Sequence, residues 1–165
     1  MARRRILLIA LVALATFALD RVTKSAIVAA IPLGEAREVV GDYVRLTHVR
    51  NTGAAFGLLP ERTTLLSILS VVAVAAILYY YRRLAGQSPA IAATLGMQLG
   101  GALGNLFDRV GQGYVVDFVD VGVGPVRFWA FNVADSAIVV GIGVVIVLLW
   151  WQERRTGMGP RGSPA

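Results

Sequence analysis

The amino-acid sequence predicts an all-α membrane protein of four transmembrane helices, with both termini inside and a small extracytoplasmic β-rich cradle. Three observations carry this. The 165 residues are 56% hydrophobic and 16% charged, too apolar a mixture for a soluble domain of this size. The apolar residues fall into four runs, at about 6–31, 65–81, 91–107 and 133–151, each close to the roughly 17–25 residues that a spanning helix needs. The charges also sort by side. With the N-terminus inside, the inner segments hold Arg3, Arg4, Arg5, Arg82, Arg83, Arg154, Arg155 and Arg161 against the single acid Glu153, whereas the outer segments hold six bases and six acids. That is the positive-inside pattern, so the net charge of +6 reads as a topology signal rather than as a nucleic-acid footprint.

The first run begins after Arg3-Arg4-Arg5 and imitates a secretory leader, with Thr16-Phe17-Ala18 as a weak small-x-small site. Its hydrophobicity resumes after Lys24 and continues to Ile31, which favours an uncleaved span. Asp20 and Lys24 lie in its outer part, four residues apart and therefore one above the other on a helix face. Two readings fit them: an internal ion pair that makes their insertion tolerable, and a brace beneath an active site.

The first outer segment spans about 32–62. Val44, Leu46 and His48 alternate with Arg45, Thr47 and Val49, a period-2 pattern that predicts a strand. Asn51-Thr52-Gly53-Ala54-Ala55-Phe56-Gly57 follows, and its glycines permit tight turns or close backbone approach. Taken alone, this motif reads as an ordinary turn. The second run carries only Ser67 and Ser70 before Tyr79-Tyr80-Tyr81 and reads as scaffold with an aromatic belt.

The third run carries Gly96, Gly100 and Gly104, two overlapping Gly-x-x-x-Gly units that let helices approach closely in lipid. They place this helix at the centre of the bundle, with Asn105, Asp108 and Arg109 at its outer end. The second outer segment, about 109–131, holds β-prone stretches at Val115–Val121 and Val126–Phe128 around the turn Gly122-Val123-Gly124-Pro125. Trp129 and Phe131 are expected as interfacial anchors. Asn132 is a candidate N-cap for the fourth helix, and Asp135 falls in its first turn, where a carboxylate meets the positive end of the helix dipole. Residues 1–151 are expected to form one four-span domain, and 152–165, rich in Gly, Pro and Arg, a disordered cytoplasmic tail.

Asp117 and Asp135, 18 residues apart, both fall at the mouth of apolar segments on the outer side. Ionisable groups in such places cost up to roughly 2.5–3.5 kcal/mol on insertion scales and mark functional sites. Two carboxylates that share a partly dry site do not both ionise readily, so one keeps a proton while the other acts as a base. Amide hydrolysis by an aspartic dyad uses that asymmetry. Other hydrolytic chemistries fare worse. There is no cysteine, and His48 is the sole histidine, which removes disulfides, cysteine nucleophiles and Cys/His zinc clusters. No serine sits in a nucleophile elbow. No cofactor and no metal are expected.

Five blocks of the chain resemble the lipoprotein signal peptidases, the signal peptidase II family: Asp20-Arg-Val-Thr-Lys24, Asn51 to Gly57, Gly100-Gly-Ala-Leu-Gly-Asn-Leu-Phe-Asp-Arg109, Val116-Asp117-Phe118 and Phe131-Asn-Val-Ala-Asp-Ser136. The resemblance covers roughly Asp20 to Gly141. It implies that Asp117 and Asp135 are the catalytic pair of an integral-membrane aspartic endopeptidase. It also implies that Asn51, Asn105, Arg109 and Asn132 contact substrate or organise the site, with Asp20 and Lys24 in support. The implied substrate is a prolipoprotein bearing a diacylglyceryl group on a cysteine, cut just before that cysteine at the outer face of the bacterial inner membrane. Partners beyond substrate and membrane lipid, including nucleic acid, are not expected, and the chain is expected to be a monomer. One departure is visible: Trp129 stands where the family often has proline. Two alternatives remain at this point. A small proton-coupled transporter would use Asp20, Asp117 and Asp135 as a relay, although most of the runs are bare at mid-depth. A non-catalytic assembly factor would use the same residues as caps and helix contacts.

Overall fold

The computed structural model describes residues 2–53, 63–84 and 88–155. The four expected helices are present as α1 (Ala2–Ala30), α2 (Thr63–Leu84), α3 (Pro89–Gln112) and α4 (Val133–Arg155). Each is long and apolar enough to cross a membrane. The order along the chain is α1-β1-β2-α2-α3-β3-β4-α4, with β1 at Ala36–Val40, β2 at Val44–Asn51, β3 at Val115–Val123 and β4 at Val126–Arg127. All four strands lie in the two connections at the same end of the bundle.

Helix α3 is central and packs on α1, α2 and α4. Its ends follow from local sequence. Ser88 caps the N-terminus by accepting from the Ile91 amide at 3.1 Å, Pro89 fills the first turn, and Gly113 ends the helix at φ 80°, a left-handed conformation that favours glycine. The small residues act as the spacing predicts. A Cβ on Gly100 would collide with the carbonyl of Ala13 and sit 2.8 Å from the Thr16 Cβ, and one on Gly104 would lie 2.6 Å from Asp20 Oδ2. Gly101 does the same towards α4, where a Cβ would meet the Ala134 carbonyl at 2.5 Å. Three helix backbones therefore converge on this stretch of α3.

The helix continues five residues past the end of the apolar run at Phe107, so Asp108 and Arg109 are helical. Helix α4 likewise runs to Arg155, four residues beyond the expected end of the domain, and Arg154 and Arg155 stack over Trp150 and Trp151. The rest of the expected tail, most of the Asn51–Gly57 motif and most of the connection before Pro89 lie outside the described residues.

The strands form one antiparallel sheet in the order β1-β2-β3-β4. Strand β2 pairs with β3 in a register that sets Val49 opposite Asp117 and Asn51 opposite Val115, with an irregularity between Leu46 and Val49. That bulge accounts for the partial success of the period-2 reading of β2. Strand β1, every residue of which is exposed, was not expected. The Phe131 backbone exchanges hydrogen bonds with Val119 (2.8 and 3.0 Å), which ties the entry of α4 to β3. Val116 and Phe118 bury against Ile27 and Ile31 at the end of α1. His48 is buried, with its ring nitrogen 2.9 Å from the Ile31 carbonyl, and so serves the join between α1 and the sheet.

Candidate active site

Asp117 and Asp135 line one cavity of about 350 Å³ together with Asn51, Asn105 and Arg109. Each reaches it from a different element. Asp117 projects from the middle of β3 and Asp135 from the first turn of α4. Asn51 ends β2, Asn105 and Arg109 occupy the last turns of α3, and Asn132 sits at the entry to α4. The far wall is apolar, with Phe128 and Phe131 in edge-to-face contact at 6.1 Å, and with Trp129, Val139 and Val140.

Every carboxylate oxygen of the pair has a donor. Asp117 accepts from Asn132 Nδ2 at 2.7 Å and from Asn51 Nδ2 at 2.8 Å. Asp135 accepts from Asn105 Nδ2 at 2.7 Å and from the Asn132 backbone N–H at 3.2 Å. Asn132 Oδ1 in turn accepts from the Asp135 amide at 3.0 Å. Asn132 and Asp135 thus form a reciprocal capping box, and the spare end of the same asparagine holds Asp117. One residue thereby fixes both acids relative to each other.

The asparagine amides are themselves oriented. Asn51 Oδ1 accepts from the Gly53 N–H at 2.8 Å, and Asn105 Oδ1 accepts from Lys24 Nζ at 2.9 Å. In each case the carbonyl end is occupied, so the NH₂ end must face an aspartate. Lys24 is almost fully buried and pairs with Asp20 and Asp108, both at 2.8 Å. Asp20 Oδ1 also accepts from the Ala134 amide at 3.0 Å, one residue before Asp135. Asp20 and Lys24 therefore form the internal ion pair of the first sequence reading, and each also bonds to a residue next to the cavity, Lys24 to Asn105 and Asp20 to the Ala134 amide. Asp108, which the sequence placed beside Asn105 and Arg109, turns away from the cavity and pairs with Arg21 and Lys24.

Asp117 lies on the sheet and is 2% exposed. Burial, and after it the Asp135 carboxylate, push its carboxyl up to about 7, against the lowering effect of the two asparagine bonds. At neutral pH the site therefore holds a carboxyl that both keeps and yields a proton readily. The Arg109 guanidinium approaches the Gly53 carbonyl at 3.5 Å, and its buried Nε has no hydrogen-bond partner among the described residues.

The structure brings together all eight sequence-predicted residues: five line the cavity, Asn132 is bonded to both aspartates, and Lys24 and Asp20 bond to Asn105 and the Ala134 amide behind them. Sequence reasoning missed Arg21 as the second partner of Asp108, and Ser136, Val139 and Val140 as cavity wall. The helical spacing of 135, 136, 139 and 140 is the signal that identifies the wall, once Asp135 is known to face inward.

The profile of the family described as "Signal peptidase (SPase) II" matches residues 12–151. The lipoprotein signal peptidase of Halothermothrix orenii is 40% identical over 144 residues, covering 87% of this chain and 96% of that one. The lipoprotein signal peptidase of Moorella thermoacetica is 44% identical over 140 residues, covering 85% and 89%. Two bacterial membrane enzymes solved by the in meso method share the fold. One, at 2.3 Å resolution, gives a TM-score of 0.78 at 28% identity over 92% of each chain. The other, at 1.9 Å resolution, gives 0.75 at 33% identity over 84% of this chain and 90% of that one. These relatives give no support to the transporter alternative. A glycine-seamed helical bundle with a matching fold, and relatives of this coverage, make the chain a multi-pass bacterial membrane protein that belongs to the signal peptidase II family.

Proposed function

We propose that this protein is an aspartic endopeptidase that removes the signal peptide from diacylglyceryl-modified prolipoproteins, cutting just before the lipid-bearing cysteine. The observation that carries the reading is the joint hold of Asn132 on Asp117 and Asp135 at the edge of one cavity. The two acids share one proton. The ionised carboxylate takes a proton from water as its oxygen attacks the scissile carbonyl carbon, and the protonated carboxyl donates to the carbonyl oxygen. Collapse of the tetrahedral adduct breaks the C–N bond: the proton held by the base passes to the departing amine of the cysteine, and a hydroxyl of the adduct returns its proton to the other aspartate as the new carboxyl forms, which restores the one-proton pair. Arg109, whose guanidinium lines the cavity, and Asn51 are placed to orient the peptide backbone. The apolar wall of Phe128, Trp129, Val139 and Val140 suits a substrate that stays partly in lipid.

The same reading places the protein in the inner membrane as a single monomeric domain, both termini in the cytoplasm, with the sheet and dyad at the extracytoplasmic face. The asymmetry of arginines between the two sides supports this orientation. The deciding experiment is cleavage of a purified diacylglyceryl-modified precursor by the parent, Asp117→Asn and Asp135→Asn. The parent should release the shortened lipoprotein, and each variant, folded as judged by its thermal midpoint, should show no product. Cleavage within about tenfold of the parent in either variant corresponds to a barrier change of only ~1.4 kcal/mol, and would remove that aspartate from the mechanism.

A further inference from the structure

On the side of α3 opposite the dyad, α1 and α3 enclose an apolar groove of about 660 Å³, lined by residues that include Leu14, Phe17, Leu103, Phe107 and Val110. Further along α1 towards the sheet lies a second, polar crevice of about 280 Å³ that contains Arg21, Lys24, Ser25, Asp108 and Gln112. Arg21 and Phe107 form the boundary, with the guanidinium 4.8 Å from the ring centroid and Phe17 packed edge-on to the same ring at 5.9 Å. The groove is lined by apolar residues, whereas the crevice carries two cations and the Asp108 carboxylate that pairs with both. Neither belongs to the cavity that holds the aspartates.

The level of this boundary is set by Asp20, which binds the first turn of α4. Arg21 therefore stands where α4 enters its apolar run, the level of lipid headgroups rather than of chain ends. From Arg21 down to Ala10, the lowest groove residue on α1, is eleven residues, or ~16 Å of helix, a span suited to an extended acyl chain. Among the described residues Arg21 donates only to Asp108. A guanidinium has five N–H donors in a rigid fork that matches phosphate oxygens in pairs, so a second edge is left for an anion from outside. Asp108 is 1% exposed and lies behind Arg21, which screens it from such an anion.

We propose that this groove and crevice form one binding site for an anionic phospholipid, with an acyl chain along Leu14, Phe17 and Val110 and the phosphate on the outer edge of Arg21, with Ser25 and Gln112 beside it. An apolar channel that ends in a cation at headgroup depth fits a molecule with both parts. A zwitterionic lipid brings its own ammonium to the same place and gains less from Arg21. The site goes beyond the peptidase reading and does not depend on it, because lipid retention is measured without substrate.

The full chain is reconstituted in nanodiscs of phosphatidylcholine with a minor fraction of phosphatidylglycerol, released into detergent, and weighed by native mass spectrometry. The parent should retain one phosphatidylglycerol in preference to phosphatidylcholine. Arg21→Gln should lower that retention at least fivefold. Leu14→Trp, which fills the groove from a 65% exposed position without touching the charges, should do the same, while Arg37→Gln on β1 should leave it unchanged. Equal retention of both lipids by the parent would reduce the groove to ordinary lipid contact and overturn the proposal. So would full retention in both Arg21→Gln and Leu14→Trp, or displacement of the lipid by millimolar inorganic phosphate, which would reveal an anion site that does not use the groove.

Discussion

The side-chain nitrogen of Asn132 lies 2.7 Å from Asp117 Oδ1, while the oxygen on the same amide caps the helix that carries Asp135. The two ends of this side chain can therefore be tested apart. Asn132→Asp keeps a good capping oxygen but loses the donor to Asp117, and Asn132→Ala loses both. Each should lower kcat/KM by roughly 10–100-fold, the worth of a hydrogen bond to a charged group. The alanine variant should also lose ~1 kcal/mol of stability from the missing cap, whereas the aspartate variant adds a third buried carboxyl beside the pair and should lose stability as pH rises. An unchanged thermal midpoint in Asn132→Ala would show that the capping oxygen contributes nothing.

The raised Asp117 carboxyl makes stability depend on pH in a direction unusual for an acid. Its folded value of about 7 lies above the ordinary 3.8, so the folded chain binds a proton that the unfolded chain releases. The associated stability is complete below about pH 4 and is lost as pH rises through 7. Asp117→Asn removes this dependence. The variant should gain on the parent by roughly 2–3 kcal/mol between about pH 5 and pH 8, read as diverging thermal midpoints. Parallel midpoints across that range would mean that Asp117 titrates normally. In the parent, kcat/KM should fall above about pH 7 as the shared proton is lost.

Lys24 sits between two buried carboxylates and the Asn105 carbonyl oxygen. Lys24→Met leaves both acids without their cation, at a cost of roughly 3–5 kcal/mol for a broken buried pair. The expected result is low folded yield in detergent, with little activity in whatever folds. A variant of normal stability would show that Arg21 alone can balance Asp20 and Asp108.

Gly100→Leu drives a side chain into the Ala13 carbonyl and the Thr16 Cβ, and should reduce the folded fraction sharply. Gly143→Leu is the matched control in α4, because nothing lies within 4 Å of the position its Cβ would take. Similar yields for the two variants would refute the close α1–α3 seam.

Much of this was legible from residue order. Four apolar runs and the glycine spacing sufficed for the helices and the α3 seam, because a spanning helix in lipid admits few alternatives. The acids at the run ends singled out Asp117 and Asp135, whereas Asn51, Asn105, Arg109 and Asn132 were assigned through the family resemblance. Strand β1 was hidden because Ala36–Val40 mixes charged and apolar residues and buries neither face, so no period shows. The path from Lys24 through Asn105 to Asp135 was hidden for another reason. It joins residues 81 and 30 positions apart, and only the packing of α1, α3 and α4 brings them together. The N-cap of Asn132 was readable because capping is local, whereas its grip on Asp117 depends on where β3 lies.

Orientation in the membrane can be checked directly. A reporter fused after Gly157 should be active only if it works in the cytoplasm, and one inserted at the Gly124 turn only if it works outside. The reverse result would move the site to the other face, together with the reading of the arginines.

The bond from Asp20 to the Ala134 amide links positions 114 residues apart, and this has a consequence for biogenesis. Asp20 is made early and its partner late, so for most of translation the carboxylate waits in the bundle with Lys24 for company. Asp135 and its cap leave the ribosome last among the residues of the site. A nascent chain therefore carries no assembled pair of acids until α4 is in place, and the site comes into being only when that helix packs against α1 and α3.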